Sequence, residues 1–173
     1  VFAPEEGYDL ASSWYDSWHW TDFWRHNELP IGRQMINKLR PECALDAGSG
    51  TGVYRHELQS MGCKTIAIDI SCKMLAVQAG KDASRGLHDP RSLVHGDIQE
   101  MPENWSGAFD CVVCARVLSQ IQDCRRALAE LSRVLRKGGH LILTDVDPSH
   151  PYTHVRITNG SFQVRIRATK HTH

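Results

Sequence analysis

The residues with the clearest chemistry are three carboxylates and a glycine-rich turn. Asp46 is followed by Gly48, Ser49, Gly50, Thr51 and Gly52, directly after the apolar run Cys43-Ala44-Leu45. Glycines at every second position let a backbone bend tightly and approach a ligand with no Cβ in the way. A segment with helical spacing comes next, and a helix starting there presents unpaired N–H groups to whatever is bound. Asp69 ends a second apolar run, 17 positions after Gly52. That is close to the offset at which an acid meets a ribose in nucleotide-binding βαβ units, where a carboxylate accepts both hydroxyl protons. Asp97 stands in Gly96-Asp97-Ile98, after the short run Ser92-Leu93-Val94-His95. A nucleotide-type cofactor gripped by strand-end carboxylates is the chemistry these residues suggest.

Other chemistries fit less well. The dinucleotide fingerprint G-x-G-x-x-G needs its third glycine where this chain has Val53. Cys111 and Cys114 have the spacing of a metal or redox pair, but three positions apart on a strand places them on opposite faces. The remaining cysteines lie mostly in or beside apolar strands, so the six read as reduced and the compartment as cytoplasmic. Formal net charge is zero, which gives no global pull toward nucleic acid or an anionic membrane. No apolar run approaches the roughly 18–20 residues of a membrane span, and no signal pattern is visible from Val1 onward.

The elements that must hold these residues alternate between strand and helix. Residues 8–24 are dense in aromatics, with Trp14 and Trp18, and Trp20 and Trp24, four apart as on one helical face. That segment reads as a packed aromatic helix or as a lid over the ligand. Pro30 suits a first helical position, and Ile31, Met35, Ile36 and Leu39 form a stripe that stops before Pro41. The helix after the glycine turn carries Tyr54, Leu58 and Met61 and stops at Gly62. Ser71 is placed to cap the helix of Met74, Leu75 and Ala79, and Gly80 to Arg91 reads as loop. Phe109 to Cys114 is a fourth strand. Asp123 caps an amphipathic helix through Cys124, Ala127, Leu128, Leu131, Val134 and Leu135, with Arg136 and Lys137 at its end and Gly138-Gly139 stopping it. Leu141 to Val146 is a fifth strand. Such alternation implies a Rossmann-like, doubly wound parallel sheet with helices on both faces. Right-handed crossovers then bring Gly48 to Gly52, Asp69, Asp97 and Arg116 to one edge.

Asp-x-Gly-x-Gly-x-Gly after a hydrophobic strand resembles the first motif of class I S-adenosylmethionine-dependent methyltransferases. Tyr8 to Asp16 is similar to the "Tyr-Asp" segment of the ubiquinone/menaquinone-type small-molecule members, and Ile70 to Leu75 to their "Asp-x-Ser-x-x-Met-Leu" segment. Gly96 to Pro102 resembles "Gly-Asp-x-x-x-Leu-Pro", and Leu135-Arg136-Lys137-Gly138-Gly139 resembles "Leu-Lys-Pro-Gly-Gly" with Lys137 where proline is usual. The resemblance implies S-adenosyl-L-methionine as cofactor, S-adenosyl-L-homocysteine as product and methyl transfer to a small-molecule acceptor. It implies Tyr15 near the methionine end, a side chain of the Ile70–Met74 stretch against the adenine, Asp97 accepting from the adenine amino group and the Ile98 N–H meeting a ring nitrogen. Ala115 and Arg116 would hold the methionine end and one wall of the acceptor pocket. Asp46, Gly48, Ser49, Gly50, Gly52 and Asp69 complete the expected cofactor set. Nothing resembles the Asn/Asp-Pro-Pro-Tyr loop of enzymes that methylate nucleic-acid amino groups, so no nucleic-acid substrate is expected.

The expected organisation is an N-terminal aromatic segment over 1–40, a cofactor-binding core over 41–147 and a tail over 148–173. In the tail, Val155 and Ile157 alternate toward Asn159-Gly160 and Phe162 and Val164 away from it, a hairpin pattern with Ile157 opposite Phe162. The family sheet has further strands that would follow this point, so its last strands are expected to be missing, with the exposed edge covered by the hairpin or by a second copy in a homodimer. His150 and His154 follow the fifth strand and are the candidates for a catalytic base. Two other readings stay open: a nicotinamide-dependent oxidoreductase, and a cofactor-binding module without turnover.

Overall fold

The computed structural model describes residues 2–87, 89–146, 153–158 and 161–166, the last two ranges as backbone. Five strands, β1 (Cys43–Ala47), β2 (Lys64–Asp69), β3 (Leu93–His95), β4 (Phe109–Ala115) and β5 (Leu135–Thr144), form one sheet in the order β3-β2-β1-β4-β5. Every neighbouring pair is parallel. The chain steps outward from β1 to β3, then returns to the other side of β1 for β4. Strand order therefore reverses between β1 and β4, and the crevice outside their carboxyl ends is where ligands enter such sheets.

Alternation along the strands divides the core. Leu45, Ala47, Val112 and Cys114 face one side, covered by Ala127, Leu131 and Val134 of α6 (Cys124–Val134). Ala44, Cys111 and Val113 face the other, against Ile36 of α3 (Leu29–Leu39) and Tyr54 and Leu58 of α4 (Val53–Ser60). Cys111 and Cys114 thus belong to opposite faces, as the strand period requires. Each leucine buried here contributes roughly 1.5–3 kcal/mol. On β2 and β3 lies α5 (Cys72–Ser84), whose cap is as expected: Ser71 Oγ accepts from the Met74 N–H at 3.1 Å.

Several local expectations give way to packing. Residues 8–24 are not one helix. α1 (Pro4–Ala11) and α2 (His19–Asn27) are separated by residues 12–18, which hold a short 3-10 turn over Tyr15–Ser17 and an extended Trp18 with φ −72° and ψ 132°. Trp14 and Trp18 still meet edge to face with ring centroids 6.0 Å apart. On α3, Ile31 and Met35 are exposed while Gly32 is buried, because the Tyr54 ring lies where a Gly32 side chain would stand. Met61 and Leu128 are exposed as well. α5 continues to Ser84, into the first part of the stretch read as loop. α6 stops at Val134, since Leu135 is already extended and pairs with Phe109. β5 therefore contains Gly138 and Gly139, shifts register before His140 and ends at Thr144. β6 (Thr153–Thr158) and β7 (Ser161–Ile166) are antiparallel, with Ile157 opposite Phe162 and Val155 opposite Val164 as read from the sequence. Asp147, His150, Tyr152 and the Asn159-Gly160 turn lie outside the described residues, and of His154 only the backbone, in β6, is described.

Candidate cofactor site

A cavity of about 740 Å³ opens at the carboxyl ends of the central strands. The turn after β1 forms its floor. Gly48, Gly50 and Gly52 all have positive φ, and the Gly48 and Ser49 N–H groups both donate to the Ile68 carbonyl, tying the turn to β2. Asp46, Gly48, Ser49 and Gly50 line the cavity, as do Asp69 and Ile70 from the end of β2 and Met74 from α5. Asp97 and Ile98 follow β3, and Ala115 and Arg116 follow β4. Tyr15 enters from the N-terminal segment.

One candidate falls elsewhere. Gly52 is buried but does not line the cavity; a Cβ there would stand 2.7 Å from Cγ of Gln78, so this glycine serves helix packing. Sequence spacing cannot separate a glycine kept for a ligand from one kept for a neighbouring helix.

Both oxygens of Asp69 are engaged on one side. Oδ2 accepts from the Gly50 N–H at 2.7 Å and Oδ1 from the Ser71 N–H at 2.8 Å. A carboxylate offers about four lone-pair sites, so two remain for the cavity. Asp97 Oδ1 accepts from the Gln99 N–H at 2.8 Å, which fixes its turn. Asp46 Oδ2 accepts from the Arg55 N–H at 2.8 Å, in the first turn of α4. Burial pushes the Asp46 carboxyl up to about 7, and burial also raises Asp69.

The wall is finished by residues with weak sequence signals. Phe2, Pro4 and Tyr8 join Tyr15, with the two tyrosine rings edge to face at 6.1 Å; burial raises both hydroxyls above their ordinary range. Three acids pin this segment to the core. Asp9 accepts from the Ser71 hydroxyl at 2.6 Å. Asp16 accepts from the Thr51 hydroxyl at 2.8 Å and pairs with Lys81 at 2.6 Å. Glu28 accepts from the Tyr54 hydroxyl at 2.9 Å and faces Arg116 at 3.3 Å. Arg116 has a left-handed backbone at φ 60°, and its guanidinium also lies over the Trp24 ring at 5.7 Å. It is the only Lys or Arg lining the cavity among the described residues, and Glu28 offsets its charge. Asp46, Asp69 and Asp97 thus give the pocket an acidic lining, and the proton that burial keeps on Asp46 is one that a bound cation would displace. Among the described residues no cluster of three metal-ligating side chains occurs, and no helix is long and apolar enough to cross a membrane.

Sheet order, reversal point and rim define a Rossmann-like domain. Within that class the chain belongs to the methyltransferase domain family, which it matches over residues 45–143. It is 32% identical over 113 residues to a demethylmenaquinone methyltransferase of Corynebacterium glutamicum, covering 65% of this chain and 45% of that protein. A ubiquinone biosynthesis O-methyltransferase of Cronobacter sakazakii is 22% identical over 167 residues, 95% of this chain and 68% of that protein. The chain spans about half the length of the demethylmenaquinone methyltransferases it matches. A solved structure from Methanococcus maripaludis, assigned as an S-adenosyl-L-methionine-dependent methyltransferase, superposes with TM-score 0.65 at 20% identity, over 83% of this chain and 64% of that one. At that identity the likeness concerns the fold.

Proposed function

We propose that this chain binds S-adenosyl-L-methionine and transfers its methyl group to a small-molecule acceptor. The observation that carries the reading is the charge of the cavity. Three strand-end acids, of which buried Asp46 ionises only near 7, face a space whose sole described cationic lining residue is already offset by Glu28. A sulfonium bearing an ammonium group matches such a space, whereas the pyrophosphate of a dinucleotide would meet like charge. When bound, the cofactor supplies a methyl carbon activated for in-line displacement.

The chain's own residues bind, orient and exclude water. In this reading the free lone pairs of Asp69 accept from the ribose hydroxyls. Asp97 and the Ile98 N–H take the adenine edge, beside Ile70 and Met74. Asp46, Ser49 and the Gly48–Gly50 backbone carry the amino-acid end toward Ala115 and Arg116. Tyr15, with Tyr8, closes the outer side where the acceptor enters. The N-terminal segment over 1–40 acts as the cap, and His150 or His154 as a base where the nucleophile carries a proton.

Calorimetric titration with S-adenosyl-L-homocysteine and with NAD tests the cofactor. We expect the first to bind and the second not to; binding of NAD alone would sink the reading. Transfer of labelled methyl to a panel of small phenols, quinol precursors and amines then tests turnover, and binding without transfer to any of them would favour a module without catalysis.

A further inference from the structure

One buried polar side chain beneath the glycine turn is left over once the cavity is assigned. Gln78 is fully buried in α5, one turn after Met74, and packs directly under Gly52. Its neighbours at the two ends differ in chemistry. On one side is Arg55, also fully buried, whose Nε donates to Asp82 Oδ2 at 3.1 Å and whose Nη2 donates to the Ser92 hydroxyl at 2.6 Å. On the other are the Ser49 hydroxyl and the Gly50 carbonyl. Arg55 has only donors to offer, so the Gln78 carbonyl turns toward it and the NH₂ group toward the turn. In that orientation Oε1 shares the single Arg55 Nε–H with Asp82, at 3.1 Å from Nε, and Nε2 donates to Ser49 Oγ at 3.0 Å and to the Gly50 carbonyl at 3.2 Å.

The consequence reaches the cavity. Gly50 is held on both polar sides, its N–H by Asp69 and its carbonyl by Gln78. Ser49 Oγ receives a hydrogen bond from below, so its own proton is left to donate upward. Ser49 lines the cavity. We propose that Gln78 is the positioning residue of the glycine turn, setting the Gly50 peptide and directing the Ser49 O–H at the amino-acid end of the bound cofactor. The proposal rests on the cofactor reading above.

An amide fits both ends at once, and the near-isosteres do not. A methionine would leave the Gly50 carbonyl and Ser49 without this donor, and the Arg55 Nε–H with Asp82 alone. A glutamate would still accept from Arg55, but it would set acceptor against acceptor at Gly50 and draw the Ser49 proton down onto itself.

The test is S-adenosyl-L-homocysteine affinity by calorimetry, with melting temperature recorded for each variant. Gln78→Glu and Gln78→Met are expected to weaken binding about tenfold, the scale of one or two lost hydrogen bonds. Leu75→Ala, a cavity on the same helix away from the site, is expected to lower the melting temperature with affinity changed by less than about twofold. Ser49→Ala leaves α5 untouched and is expected to weaken binding several-fold in the wild-type background. In Gln78→Glu the same change should cost little, since the donor is already misdirected. The proposal fails if Ser49→Ala binds as wild type does, if the Gln78 variants do, or if Leu75→Ala loses as much affinity as they do. A wild-type chain that takes up no S-adenosyl-L-homocysteine overturns the cofactor reading, and the proposal with it.

Discussion

At Asp46 and Asp69 burial pushes the same residue type upward, against hydrogen bonds that favour the charged form. Asp69 receives two backbone N–H groups and Asp46 one. An unfolded aspartate ionises near 3.9. The folded chain therefore keeps an extra proton on Asp46 between there and about 7. Stability from this group is present at the acid end of that window and declines as pH rises through it. Asp46→Asn, which keeps an acceptor for Arg55, should flatten that decline in urea titrations run across the window. A cation bound beside Asp46 favours its ionised form, so binding S-adenosyl-L-methionine near pH 6.5 should release a proton. Calorimetry in buffers of different ionisation enthalpy reads this directly, and identical heats would exclude it. Asp69→Asn should weaken S-adenosyl-L-homocysteine by about 1–3 kcal/mol, the range for charge-assisted hydrogen bonds.

At the scale of elements, α1 and α2 are attached through polar contacts at helix starts more than through a deep apolar face. α1 buries no residue fully, and α2 only Thr21. Asp16 joins the Thr51 hydroxyl, Lys81 and Arg25, the last at 2.6 Å. The three charged groups are partly exposed, so Asp16→Ala should cost only about 1 kcal/mol in stability. Its larger effect should be local, as faster amide hydrogen exchange over residues 4–27 with the sheet unchanged. Gly52→Ala is the opposite case. A side chain at φ 88° is strained, and its Cβ would press on Gln78 within a closed core. We expect a loss of about 2–4 kcal/mol by chemical denaturation, from left-handed strain and overpacking together.

For the whole molecule, the sheet is stapled on one side by charge. Arg55 of α4 reaches the Thr65 carbonyl of β2, Ser92 before β3 and Asp82 of α5, while His56 Nε2 meets Asp82 Oδ1 at 2.9 Å. Removing one member leaves an uncompensated buried charge. Asp82→Ala should therefore destabilise by about 3–5 kcal/mol, and loss of much less in a denaturant titration would show that water reaches the site. Little of this network was visible beforehand. Ser71, Gln78 and Asp82 lie at helical spacing on one side of α5, and three polar residues along a buried stripe were the available signal. Ser71 reads as a cap from the sequence, but for Gln78 and Asp82 the spacing of polar residues does not say whether a partner waits opposite.

The alternation of strand and helix and the acids at strand ends follow from local pattern: apolar runs of strand length, glycines that only a sharp turn requires, and right-handed crossovers that leave few ways to wind the sheet. Lining residues such as Asp69 and Asp97 were legible because strand ends gather on one rim by geometry alone. Where helices stop, which glycine meets a ligand and which a helix, and how Gln78, Arg55 and the acids of the N-terminal segment find their partners were decided by packing. Those contacts join residues far apart in the chain. Their energies depend on burial and on the exact complement of donors and acceptors across each gap, which exist only once the elements are assembled.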